Sequence, residues 1–241
     1  MDRIVQKIIT IVIILSLLPL LLASPKVIDS KKKEIIINDI AIPVLNYHKV
    51  DEQKIALSIS PQEFEEQIKY LAKEGYNTIT PSEMMNALEY GTPLPEKPIM
   101  ITFDDGYLDN YTNAYPILKK YGFTATIFLV TGFIGNDPRF MNWEEIKEMK
   151  ANGFVFGSHT VNHKSLTELS YVELKNELLL SAEEIEQQLG HQELFFAYPT
   201  GTYTLNIAKI VESCGYRAAF TIKYGDIDEA SNYFALERIP I

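Results

Sequence analysis

The chain has 241 residues, a formal net charge of −10 and 46% hydrophobic residues. That length suits one domain of α/β-barrel size or two small ones, and the acidic balance argues against a nucleic-acid backbone or an anionic membrane surface as the main partner. Cys214 is the only cysteine, which excludes a disulfide framework and a thiolate metal cluster. It falls late in a helical pattern and reads as a small buried apolar residue.

Residues 1–24 read as a signal peptide or membrane anchor. Arg3 and Lys7 precede an apolar run over residues 8–22, shorter than the ~20 residues of a membrane span. Ala23 and Ser24 offer a cleavage point, and no nearby cysteine provides a lipid attachment. The pattern predicts an exported protein, extracellular, on the cell surface or anchored on the outer side of the membrane. The lysine-rich residues 25–39 read as a linker, which leaves 40–241 as the folded domain.

Residues 40–47 form a strand-like run ending at His48. Ser60, Pro61 and Glu63 then signal a helix start, and Phe64, Ile68 and Leu71 mark its apolar stripe before Gly75. A short strand is predicted over 76–80 and a short helix over 82–90. Residues 98–103 are an apolar run that ends in Asp104-Asp105-Gly106-Tyr107. A helix over 110–121 leads to a buried strand over 125–130. Asn142 and Glu145 start a helix to 152, and the strand 154–158 enters Ser158-His159-Thr160-Val161-Asn162-His163. Ser170 and Glu173 start the longest helix, which ends at Gly190. A strand over 194–197 runs into Tyr198-Pro199-Thr200-Gly201. A helix over 205–214, a strand over 218–222 and a last strand over 234–241 follow. Strands alternating with helices imply a parallel sheet wrapped by helices, and about seven units in this length favour a small barrel over an open sheet.

His48, Asp104, Asp105, His159, His163, Pro199 and Thr200 all follow predicted strands. In a parallel barrel the strand C-termini share one face, so residues far apart in sequence converge there. Two histidines and one carboxylate make a suitable ligand set for a divalent ion, zinc first, with one position left for water. Adjacent carboxylates at a strand end can divide the work, one ligating and one taking a proton. A departing group also needs a proton, from a histidine that is not a ligand. His48 lies on the expected face, whereas His191 follows the helix-ending Gly190 and reads as exposed.

The segments Thr102–Tyr107, Ser158–His163 and Tyr198–Gly201 resemble, in order and spacing, the first three motifs of the polysaccharide deacetylases. These are the NodB-homology enzymes of carbohydrate esterase family four. The resemblance covers roughly residues 40–241. It implies a distorted (β/α)₇ barrel and metal-dependent removal of N-acetyl groups from a glycan polymer. By position it makes Asp104 the general base, Asp105, His159 and His163 the metal ligands, and the backbone N–H of Thr200, after Pro199, an oxyanion donor. Three features depart from the family. Ala197 stands where the third motif has arginine, Thr200 stands where an aromatic usually follows the proline, and no histidine follows His191 to supply the late acid. Asn46-Tyr47-His48-Lys49-Val50 resembles instead the branch with an early acid histidine, the exported poly-β-1,6-N-acetylglucosamine deacetylases of biofilm matrix. The relatives that act on peptidoglycan, chitin fragments or acetylxylan are the alternative, as is a glycan-binding wall protein with weak catalysis. Arg238 is a candidate to replace the missing arginine beside Asp104. Tyr107, Trp143 and Tyr203 are candidate sugar-stacking residues.

Overall fold

Helix starts along the chain follow one local rule. Ser60, Thr80, Asn142 and Ser170 each accept from the backbone two or three residues on, and Glu63, Glu83, Glu145 and Glu173 each reach back to close a capping box. Such caps satisfy N–H groups that the helix itself leaves open, each worth about 1 kcal/mol. They open helices α1 (Pro61–Lys73), α2 (Pro81–Tyr90), α4 (Trp143–Ala151) and α5 (Tyr171–Leu189). Two further helices are α3 (Tyr115–Lys120) and α6 (Leu205–Ser213). This is a computed structural model, and it describes residues 41–191 and 193–241. The segments read from the sequence as a signal or anchor, 1–24, and as a linker, 25–39, lie outside the described residues. Among the described residues no helix is long and apolar enough to cross a membrane.

Seven parallel strands close into a barrel. They are β1 (Val44–Tyr47), β5 (Pro98–Asp105), β6 (Thr126–Leu129), β7 (Val155–Ser158), β8 (Phe195–Ala197), β9 (Ala218–Tyr224) and β10 (Leu236–Pro240). Each pairs in parallel with the next, and β1 closes the ring by pairing with both β5 and β10. The two-residue β4 (Asn77–Thr78) adds to the early end of β5 outside the ring. Short β2 (Lys49–Val50) and β3 (Ser58–Ile59) pair with each other alone. The ring is a distorted (β/α)₇ barrel, as the alternation of elements predicts. The β9–β10 register shifts between Leu236 and Arg238, and no helix fills the β9–β10 connection.

Alternation along the strands decides which side chains face the lumen. Tyr47 and Phe103 stack at 5.4 Å and meet Phe64 of α1, so they face outward. Their neighbours Asn46, Thr102 and Asp104 therefore face the inside. Gly157 has no side chain for a packing reason: a Cβ there would stand 2.7 Å from the Phe128 ring and from the Phe195 carbonyl. Phe128 takes that space and presents its ring to Arg238, 5.7 Å away. Phe128 is the register partner of Asp104, so the lumen sets an aromatic ring beside the charged side chains.

Two expectations need correcting. Residues 110–121 begin as a π-helix (Asn110–Ala114) and only then become α3. Cys214 is half-buried rather than fully buried, because it caps the exposed end of α6.

Candidate active site

The pair Asp104-Asp105 divides at the last residue of β5. Asp104 keeps extended backbone and projects into the lumen. Asp105 adopts a left-handed backbone, φ 75°, and Gly106 follows at φ 83°. That reversal lets two consecutive side chains serve one face, which a continuing strand forbids. Thr160, His163 and Thr200 also have positive φ. Among the described residues, four of the five non-glycine residues in this unfavourable region therefore lie in the three sequence motifs, with Lys97 the exception. Such strain persists only where surrounding contacts enforce it.

Arg238 holds Asp104 from below. Its two terminal nitrogens donate to the two carboxylate oxygens at 2.8 and 2.7 Å, a fork-on-fork pair. Its Nε donates to the Thr221 carbonyl at 2.7 Å. Arg238 has no exposed surface and Asp104 only 2%. Burial works to raise the Asp104 pKa, but Arg238, with His159 and His48, outweighs it and holds the carboxyl well below the usual range. His48 enters from the end of β1 with Nε2 3.9 Å from Asp104 Oδ2.

Asp105 gathers the two histidines above. Its Oδ1 lies 3.3 Å from His163 Nε2 and 3.6 Å from His159 Nε2. One ligating atom from each residue falls within 4.8 Å of the others. His159 Nδ1 faces the Ala197 carbonyl at 2.7 Å. A carbonyl only accepts, so Nδ1 carries the proton and Nε2 keeps its lone pair toward Asp105. Burial lowers the His159 pKa to about 4 and lowers that of His163, so both rings are neutral at pH 7, as metal ligands must be. Burial and the adjacent Asp104 charge push Asp105 up to about 6. A buried carboxylate facing the Nε2 atoms of two neutral imidazoles, with no cation among its own contacts, fits a divalent ion.

The loop carrying His159 and His163 is not helical, consistent with the glycine and strand that precede it. Glu177 of α5 anchors it. One oxygen of this buried carboxylate accepts from Val161 N–H and Asn162 N–H at 2.9 Å, and the other accepts from Asn162 Nδ2 at 2.7 Å. On the far side Gly132 N–H donates to the Val161 carbonyl at 2.9 Å, and a Cβ on Gly132 would stand 2.5 Å from that oxygen.

A model of the polysaccharide deacetylase family matches residues 91–219, more than half the chain. The chain belongs to the polysaccharide deacetylase family. Among its relatives, YxkH of Bacillus subtilis (strain 168), named for the same family, is 35% identical over 83% of this chain and 71% of its own. The poly-β-1,6-N-acetyl-D-glucosamine N-deacetylase of Staphylococcus aureus (strain N315) is 28% identical over 88% of this chain and 83% of its own. Of solved structures, Streptococcus pyogenes deacetylase PplD, in complex with acetate, superposes with a TM-score of 0.81 at 31% identity, covering 85% of this chain and 93% of that one. IcaB from Ammonifex degensii gives 0.74 at 30% identity, covering 85% and 92%.

The remaining sequence candidates spread out around the deacetylase site. Tyr107 lies against it. Burial, then the Asp105 charge and a hydrogen bond to that carboxylate, raise the tyrosine's pKa to about 12. Its ring stacks on Phe140 at 4.8 Å, with the Lys49 ammonium 5.2 Å above. Pro199 and Thr200 follow β8, directly after the strand whose Ala197 carbonyl holds His159. Tyr203 stacks on Tyr198. Trp143 lies apart from the metal triad. It lines a separate cavity of about 570 Å³ with Gly135, Val161, Leu180 and Glu184. His191 is exposed and faces Glu186 at 2.9 Å. Sequence reasoning missed Glu177. Its only signal was an acidic residue on the buried stripe of α5, beside Leu174 and Leu178.

Proposed function

We propose that this deacetylase is an exported, metal-dependent N-deacetylase of N-acetylglucosamine polymers, with poly-β-1,6-N-acetylglucosamine as its substrate. The observation that carries the mechanism is the meeting of His48 with Asp104 at 3.9 Å. The chain has four histidines. Two face Asp105 and one is exposed with Glu186, so His48 alone remains to protonate a departing amine.

Asp105, His159 and His163 would hold the ion, zinc by the chemistry of the donor set. Bound there, a divalent ion supplies Lewis acidity that polarises the acetamide carbonyl and acidifies water. Asp104 takes the proton of the attacking water. Arg238 keeps that carboxylate ionised and aimed, at some cost in basicity. The N–H of Thr200 donates to the developing oxyanion. His48 delivers a proton to the amine nitrogen, without which an amine is a poor leaving group. The substrate assignment is supported by the similarity to the Staphylococcus aureus enzyme and to IcaB, and by the early position of the acid histidine. Export is supported by the apolar run over residues 8–22, and the protein's recovery from the medium or cell surface checks it.

The test is acetate release from β-1,6-linked N-acetylglucosamine oligomers and from chitin oligomers, with zinc and after chelation. Zinc-dependent release from the β-1,6 oligomers is the expected result. Release from chitin alone would keep the mechanism and replace the substrate. Release that survives chelation would overturn metal dependence.

A further inference from the structure

His48 sits just beyond the end of the barrel. β1 stops at Tyr47, and β2, which follows His48, pairs only with two-residue β3. The ring of strands therefore does not orient this histidine. Three side chains from residues 109–113 do. Asn110 Nδ2 donates to the His48 carbonyl at 2.8 Å. Asp109 Oδ1 accepts from Val50 N–H at 2.8 Å and from Asn110 Nδ2 at 3.1 Å. Asn113 Nδ2 donates to the Val50 carbonyl at 2.7 Å.

The segment Asn110–Ala114 is a π-helix, entered directly from Asp109. Residues 109 and 113, four apart, and 110 and 113, three apart, stand on one face, and all three side chains reach the backbone of 48–50. π-Helical turns are rare and concentrate at functional sites. The arrangement also carries a cost. Asn110 is 1% exposed and its Oδ1 has no hydrogen-bond partner, and a buried acceptor left open is destabilising. The amide is held with its donor on the His48 carbonyl despite that cost.

We propose that Asp109, Asn110 and Asn113 form a clamp that positions His48 to protonate the leaving amine. This rests on the deacetylase reading, with His48 as general acid. The three are positioning residues, acting through the backbone of 48–50. A proton donor must come within hydrogen-bond reach of its acceptor, and a displacement of ~1 Å can cost as much as 10²-fold in rate.

The experiment uses the zinc-loaded full chain and two substrates. One is the β-1,6-linked N-acetylglucosamine oligomer, whose amine must be protonated to leave. The other is 4-nitrophenyl acetate, whose phenolate leaves without a proton. Asn110→Ala and Asn113→Ala should each lower kcat on the acetamide by about tenfold, with KM and ester turnover within about twofold. His48→Ala should show the same selectivity with a larger loss, and adding Asn110→Ala to it should cost nothing further. Asp104→Asn should lose both activities, showing that the ester is cleaved at this site. Parallel loss on both substrates in both asparagine variants would overturn the clamp in favour of general support of the fold. Unchanged acetamide turnover would overturn it as well. A wild-type protein that cleaves the ester but no acetamide would sink the deacetylase reading first, before any variant is compared.

Discussion

Asp104 and Asp105 are neighbours in sequence yet live in opposite surroundings. Below the rim, Asp104 meets a forked guanidinium in a closed lumen, and its pKa is driven down. Above the rim, Asp105 sits on left-handed backbone between two neutral imidazoles, and burial drives its pKa up. One carboxylate is ionised at neutral pH, with Arg238 donating to each of its oxygens. The other gains its counter-charge only from something brought in. Environments that push two titratable groups apart assign them separate chemical roles, and here one reversal of the backbone does it.

The comparison breaks most sharply at Asp104. Asp104→Asn keeps the shape and removes the proton acceptor, so acetate release should fall by about 10²–10⁴-fold. Zinc affinity, measured by calorimetry, should stay within a few-fold, because the rim triad is intact. A comparable loss of zinc would show that the two carboxylates do not divide their roles.

Removing the partner below the rim tests stability. Arg238→Met leaves Asp104 buried and unpaired, a change that costs about 3–5 kcal/mol. The Asp104 pKa is lowered in the folded state, so the pair stabilises above the unfolded aspartate value of about 3.9, and that contribution is lost as pH falls through the folded value. Urea unfolding should therefore show a deficit at neutral pH that shrinks in acid. An equal deficit at both would point to lost packing on Phe128 instead.

Above the rim, Glu177→Gln exchanges one of the anchoring oxygens for an amide donor, leaving N–H groups of the His loop short of an acceptor. Zinc should bind about 10–100-fold more weakly, with little change in unfolding of the metal-free protein. A smaller effect is expected from pH alone. Asp105 must be ionised to ligate, and its pKa is raised to about 6. Zinc affinity should therefore be flat above that value and weaken as pH falls through it. Weakening only near pH 4 would make His159 the limiting ligand.

Much of this was legible without coordinates. Helix starts are local events, and the capping pairs at Ser60, Asn142 and Ser170 announced three of them, as the glycines and prolines announced the turns. The convergence of His48, Asp104, Asp105, His159 and His163 also followed from placing each after a strand of a parallel barrel. Glu177 was hidden, because its partners are backbone N–H groups of a loop whose path no local pattern specifies. The π-helix was hidden too, since residues 110–114 read as ordinary helix until the contacts to His48 and Val50 are seen.

By itself, then, the sequence determined the alternation of strands and helices and the candidate ligand set, since these depend on residue type and spacing. Only the tertiary structure decided that Arg238 lies under Asp104, across 134 positions of sequence. It also decided that Trp143 lines a cavity of its own and that left-handed backbone separates the two aspartates. Those outcomes depend on which strands close the ring and on what the lumen has room for, and packing settles that only when every strand is in place.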